Sequence, residues 1–216
     1  MIIPIIIYMI LLLTLFFMMD YVKEWFSLES EDSRKIVHVS SLLTVCTWPF
    51  FLENYGIYII CILFILINMY TKKAGMFKAV HTVKRATIGA EILPVGIMIS
   101  TFFFLPENKT SFIYGILIVC FSDLMAELVG KKLSFYEYKI FGQKKSLGGS
   151  IAFFISTLII TIGMLVFLEI DIIISRVILM SIMLCLVEAV HTFGLDNFTL
   201  PVVSSLVFNY LQDMQV

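Results

Sequence analysis

The stretch KKSLGGS-IAFFISTLIITIGMLVFL, residues 144–168, decides the fold. From Ile151 to Leu168 it is uncharged and almost wholly apolar. A helix crossing a bilayer needs about 20 mostly apolar residues, whereas barrel strands alternate in polarity and are about half as long. The run therefore reads as a membrane-spanning helix. Directly before it stand Lys144, Lys145, Ser146, Gly148, Gly149 and Ser150. Two cations, two hydroxyls and flexible backbone amides, at the start of a helix whose N-terminus is its positive dipole end, can hold a polyphosphate at the membrane surface. The order GxxxxGK[ST] is absent, so this is not a P-loop.

The rest of the chain repeats the theme. Of 216 residues 60% are hydrophobic and 14% charged, and mean hydropathy is +1.01. Soluble domains carry about 25% charged residues. The composition excludes a separate soluble domain and predicts an all-α, polytopic helical bundle forming a single membrane domain, 1–216. Expected spans are 2–19, 36–52, 56–70, 88–105, 111–129, 150–168 and 172–190, with 199–211 as a further short span or a re-entrant segment. The first run lacks a basic n-region and an A-x-A site, so it reads as a helix rather than a signal peptide. Cys46, Cys61, Cys120 and Cys185 lie in apolar runs without metal-ligand spacing and read as small buried hydrophobes. The net charge of −1 gives no reason to expect a nucleic-acid partner.

Charge in the loops sets an orientation. Thirteen of the fifteen basic residues fall in segments 20–35, 71–87 and 130–149, and the opposite loops hold only Lys109 and Arg176. The positive-inside rule places the three basic loops in the cytoplasm and the N-terminus outside. Polar residues of the spans then gather on one side. His38 opens the second span, Thr87 and Glu91 the fourth, and Ser150 the sixth. Asp123 and Glu127 close the fifth, Glu188 and His191 the seventh, and Asp196-Asn197 follow. This predicts one site at the inner membrane face.

Asp123 and Glu127, at i and i+4, share a helix face. Asp123 lies roughly 9 Å inside its span at 1.5 Å per residue. A charge facing lipid there costs on the order of 2.5–3.5 kcal/mol, so it is expected to face the bundle interior. Two carboxylates one turn apart suit Mg²⁺, which takes one or two carboxylates together with phosphate oxygens and waters. Lys72, Lys73, Lys131 and Lys132 read as topology markers, and His81 as a solvated loop residue.

In order along the chain, five blocks resemble the CTP-dependent polyprenol kinase family, which includes phytol kinase, dolichol kinase and CTP-type diacylglycerol kinase. They are Glu31-x-x-Arg34-Lys35-x-x-His38, Arg85-x-Thr87-x-Gly89, Asp123-x-x-Ala126-Glu127-x-x-Gly130, Lys144-Lys145-Ser146-x-x-Gly149-Ser150, and Glu188 followed by Asp196-Asn197 and Pro201. One departure stands out: Ser122-Asp123-Leu124 replaces a Gly-Asp-Gly common in the family.

The resemblance implies transfer of the γ-phosphoryl group of CTP to the hydroxyl of a lipid alcohol, with the active site on the cytoplasmic face. Lys144 and Lys145, with Ser146, Gly148, Gly149 and Ser150, would hold the nucleotide phosphates. Arg34, Lys35 and Arg85 would stabilise charge on the transferred group. Asp123 with Glu127 or Asp196 would hold Mg²⁺, and His38 or Asp196 would accept the hydroxyl proton. Glu188 and Asn197 would contact the lipid substrate.

Two other functions fit parts of the pattern. A CTP:phosphatidate cytidylyltransferase also joins CTP to a lipid, but by attack at the α-phosphate. A cation- or proton-coupled transporter needs polar groups near the midplane, reachable from both sides. Here they crowd one face. The orientation predicts that a cysteine at Gln143, in a background lacking the four native cysteines, resists an impermeant thiol reagent in intact cells and reacts once the membrane is opened. A cysteine at Asn108 should react from outside, and the reverse pattern would invert the topology.

Overall fold

The computed structural model describes residues 2–77, 88–133, 135–140, 143–192 and 194–214. Among these, helices dominate: α1 (Ile2–Trp25), α2 (Ser30–Phe51), α3 (Asn54–Ala74), α4 (Gly89–Phe104), α5 (Lys109–Leu117), α6 (Leu124–Lys132), α7 (Leu147–Phe167), α8 (Ile174–Val190) and α9 (Asp196–Asp213). A π-helical stretch, Ile118–Asp123, joins α5 to α6 in one continuous rod. Four helices are long and apolar enough to cross a membrane by length and composition: α1, α3, the Lys109–Lys132 rod and α7. α4 is apolar but shorter.

The chain is thus an all-α bundle, with one element that hydropathy did not reveal. Inside the expected loop 130–149, β1 (Glu137–Ile140) and β2 (Gln143–Ser146) pair as an antiparallel hairpin. α2 also begins at Ser30, ahead of the expected 36, because the charged turn Glu31–Lys35 is itself helical. Arg34 and His38 therefore lie one turn apart on the same helix face.

Contacts at the two ends show how the helices run. Asp196 and Asn197, at the start of α9, line the same cavity as Asp123 and Lys145. At the other end of α9, Asn209 and Gln212 accept hydrogen bonds from Asn108 at 2.8 and 2.7 Å. Eighteen residues at 1.5 Å per residue carry α9 about 27 Å, through the bundle rather than back on itself. Between the ends, Tyr114 stacks on Phe208 with ring centroids 4.2 Å apart, and its hydroxyl meets Thr161 Oγ1 at 2.8 Å. Leu42, Ile57, Phe112, Phe153, Leu184 and Leu200 are fully buried in the same hydrophobic core. Asn108 is committed to its amide network, so the exposed Glu107 beside it is the better place for a cysteine label at this end of the bundle.

Two prolines shape the cavity end. Pro94 in α4 and Pro201 in α9 each lack the N–H that would bond the carbonyl four residues earlier, at Ala90 and Asn197. In a membrane bundle such freed groups must find partners inside the protein. Asn68 of α3 donates Nδ2 to the Ala90 carbonyl at 3.3 Å. The Asn197 carbonyl lies against Gly96 of α4, where an added Cβ would sit 2.9 Å from it. Glycine at 96 is what lets α4 and α9 approach at this level.

Gly96→Val should therefore lower thermal stability in detergent, since overpacking costs about 1–3 kcal/mol. Gly163, whose Cβ would meet nothing within 4 Å, supplies the control. Scanning fluorimetry should show a clear fall in Tm for Gly96→Val and little change for Gly163→Val; equal effects would refute the close-approach account.

Candidate functional site

One end of the bundle holds a cavity of about 270 Å³. α2 contributes Glu31, Arg34, Lys35 and His38 to its wall. The central rod contributes Asp123, Glu127 and Lys131. The hairpin and the first turn of α7 add Glu137, Lys144, Lys145, Ser146, Gly149 and Ser150. Glu188, His191, Asp196 and Asn197 close it from α8 and α9. Of the residues that the sequence marked for the site, Gly148 is set just behind the wall, and Arg85 lies outside the described residues, as do Thr87 and His81.

The hairpin separates the two lysines. Successive strand residues point to opposite faces. Lys145 turns inward: Nζ lies 2.6 Å from Glu188 Oε1 and also donates to the Glu188 backbone carbonyl. Their side chains are only 16% and 8% exposed, so this is a largely buried ion pair. Glu188 Oε2 is buried with no hydrogen-bond partner. Lys144 stays at the rim, 65% exposed, 3.2 Å from Glu137 Oε2. Tyr138 inserts its hydroxyl 2.6 Å from Ser150 Oγ, fastening the hairpin to α7.

The glycines serve packing. An added Cβ at Gly148 would collide with the Leu133 carbonyl, and one at Gly149 would lie 2.8 Å from the Ala126 carbonyl. They let the start of α7 sit against α6. Ser146 caps α7 by accepting from Gly149 N at 3.2 Å, and Leu147 N donates to the Tyr136 carbonyl at 3.3 Å. The Gly149 amide, which the sequence offered to an anion, is thus engaged within the protein, as is that of Leu147.

The acids divide into paired and unpaired. Glu127 lies 2.8 Å from Lys131 and 3.6 Å from Lys35. Lys131 also pairs with Glu31, and Lys35 lies 3.6 Å from Asp32. This chain of charges clips the start of α2 to the end of α6. Lys131 is therefore part of the cavity wall as well as a topology marker, and its i, i+4 spacing from Glu127 was the available signal. Glu91 is engaged by Lys72 and is not part of the cavity wall.

Asp123 makes no hydrogen bond or ion pair with any described residue, and Asp196 engages only the Asn197 backbone N–H, at 2.9 Å. Asp123 ends the π-helical stretch, a form that recurs at functional sites. Its backbone, and that of Leu124, is ordinary right-handed helix. No left-handed backbone is needed on either side of Asp123, so Ser122 and Leu124 are accommodated without glycine. Ser122 itself is buried and accepts from Thr157 Oγ1 at 3.1 Å.

Among the described residues no three His, Cys, Asp or Glu side chains form a ready-made metal cage. Asp123 and Asp196, without an ion-pair partner among the described residues, are of the donor type that Mg²⁺ takes together with phosphate oxygens and water.

Fold and site together define a helical membrane protein with a charged cavity at one end of its bundle. Among curated proteins the chain is similar to a phytol kinase from Synechocystis sp., 24% identical over 183 residues that cover 82% of this chain and 78% of the relative. The match supports the polyprenol kinase resemblance carried by the motifs. No family model matches the chain, and no solved structure matches it significantly.

The different settings of the lysines predict different stability effects. Lys145→Gln leaves Glu188 buried without its cation, and removing one member of a buried pair costs about 3–5 kcal/mol. Lys144→Gln removes only an exposed pair, worth about 0–1 kcal/mol. Thermal unfolding in detergent should fall for the first and stay near wild type for the second. Equal losses would overturn the inward–outward assignment.

Proposed function

We propose that this chain is a multi-pass membrane kinase acting at the cytoplasmic face, transferring the γ-phosphoryl group of CTP to the hydroxyl of a prenol-type or glycerolipid alcohol. The observation that carries this reading is the pair of carboxylates without an ion-pair partner among the described residues, Asp123 and Asp196, in a cavity whose wall also carries Arg34, Lys35, Lys131, Lys144 and Lys145 beside Glu31, Glu127, Glu137 and Glu188. The similarity to a phytol kinase supports the same class.

Phosphoryl transfer asks mainly for positioning and charge neutralisation. Lys144, at the rim, would meet the nucleotide first. Lys145 would hold a phosphate oxygen while keeping its tie to Glu188. Arg34 and Lys35 would face the charge that develops on the transferred group, and Arg85 would join them from outside the described residues. Asp123 and Asp196, with Glu127 behind them, would hold Mg²⁺; when bound, the ion offsets the negative charge of the phosphates. The lipid hydroxyl oxygen would form its bond to the γ-phosphorus as the bond to the β–γ bridging oxygen breaks and CDP leaves. The hydroxyl proton would pass to His38 or Asp196, both on the cavity wall. Asn197 would orient the lipid beside them, with Glu188 holding Lys145 in place.

Purified protein in lipid nanodiscs, given γ-labelled CTP and a panel of lipid alcohols, should place the label on lipid. Label released as pyrophosphate would instead indicate a cytidylyltransferase. Asp123→Asn should lower transfer by on the order of 100-fold or more while yield and membrane insertion hold. Activity within a few-fold of wild type would remove Asp123 from the site.

A further inference from the structure

A second cavity, of about 70 Å³, lies between α1, α2, α3 and α4. Its wall is mostly apolar, with Leu12, Val37, Leu42, Val45, Phe64 and Leu93 among the contributors. It shares three residues with the charged cavity: Arg34, His38 and Asn197. A charged chamber and an apolar chamber therefore meet at one three-residue wall. A molecule with a reactive polar end and a hydrocarbon body fits that pairing, and a wholly polar ligand does not.

The apolar chamber also holds polar atoms that its own protein leaves unsatisfied. Asn68 is 2% exposed, and its Oδ1 has no hydrogen-bond partner. Its amide orientation is set by chemistry: Nδ2 donates to the Ala90 carbonyl that Pro94 leaves free, so the oxygen is the atom left over. A carbonyl oxygen only accepts hydrogen bonds. Ser41 Oγ, one turn beyond His38 on the same face of α2, is likewise buried and unpartnered. A buried polar group without a partner costs about 1–3 kcal/mol. A matching ligand group is an O–H, which can donate to Asn68 Oδ1 or exchange a hydrogen bond with Ser41 Oγ.

We propose that this apolar chamber is the acceptor site: it takes the leading segment of a single-chain lipid alcohol, with the hydroxyl received by Asn68 Oδ1 and Ser41 Oγ beside the Arg34–His38–Asn197 wall. The inference rests on the kinase reading for what happens to that hydroxyl, but not for where the alcohol binds. It also narrows the substrate class. A glycerolipid carries two ester groups immediately behind its hydroxyl and needs room for two chains. This chamber offers one narrow, mostly apolar space of about 70 Å³, with room for neither the esters nor a second chain. Prenols and other single-chain alcohols fit; diacylglycerols do not.

The test uses a long-chain alcohol carrying a photoactivatable diazirine near the hydroxyl, with wild-type protein in nanodiscs and no nucleotide. Peptide mapping should place adducts on the chamber faces of α2, α3 and α4, at residues such as Leu42, Phe64 and Leu93. Excess unlabelled prenol should suppress these adducts, and diacylglycerol should not. Val45→Phe, and separately Leu93→Phe, should reduce labelling by about tenfold or more, the scale on which a misfitting group acts in an apolar pocket. CTP binding, read by thermal shift, should persist in both variants and report that they are folded.

Adducts confined to lipid-facing residues, or suppression by diacylglycerol as strong as by prenol, would overturn the assignment. Chamber labelling in a protein that phosphorylates no alcohol with any nucleotide would uphold the chamber and remove the kinase reading. Unchanged alcohol phosphorylation in both filled variants would do the opposite.

Discussion

The ion pair between Lys145 and Glu188 is the contact on which the site depends. It joins the hairpin at the head of α7 to the last turn of α8, and it does so where both side chains are largely out of water. In that setting a lone charge is far costlier than a pair, so neither residue can be read without the other. The pair also decides what remains available. With Lys145 engaged by Glu188, and Lys35 and Lys131 engaged by Glu127, Asp123 and Asp196 line the cavity without an ion-pair partner among the described residues. A site that keeps unpaired carboxylates among tethered cations is arranged for a ligand bearing both phosphate oxygens and a metal.

The two ends of the bundle are built on different chemistry. The end away from the cavity is held mainly by amides and hydroxyls, Asn108, Ser111, Asn209 and Gln212, which bond one another directly, with the Asp213 carboxylate accepting from Asn209. The cavity end is closed by charges and by carbonyls that proline sets free. Neutral networks rigidify when every group is satisfied. The cavity end leaves Glu188 Oε2, Asn68 Oδ1 and Ser41 Oγ without partners, and Trp48 Nε1, Ser100 Oγ and Ser204 Oγ are likewise unpartnered elsewhere in the bundle. The concentration of charge, more than hydropathy, distinguishes the cavity end from the other.

Much of this was legible in the sequence, for identifiable reasons. Long uncharged runs gave the helical class. The acids, histidines and lysines fell on one side once the basic loops were oriented, and nearly all of those marked residues line the same cavity. The hairpin was not legible. Its strands are four residues each and polar, and helical propensity and hydropathy say nothing about Glu137–Ile140 pairing with Gln143–Ser146. For the same reason Lys144 and Lys145 looked equivalent. The orphan oxygen of Asn68 was also hidden, because it exists only through a long-range contact with a carbonyl that Pro94 releases from another helix.

The hairpin has a further consequence for how this segment can change. Its side-chain period is two, so pairing is a matter of parity. Adding or removing one residue between Ile140 and Gln143 would slip β2 by one position, and every side chain on it would exchange faces. Lys144 or Ser146 would then point at Glu188, while Lys145 would move to the rim. Both lysines would still be present, yet the inward charge would be replaced or misplaced. Length, as much as residue identity, is therefore the quantity constrained between β1 and α7, and variants that keep both lysines but shift that parity should be lost as surely as variants that lack them.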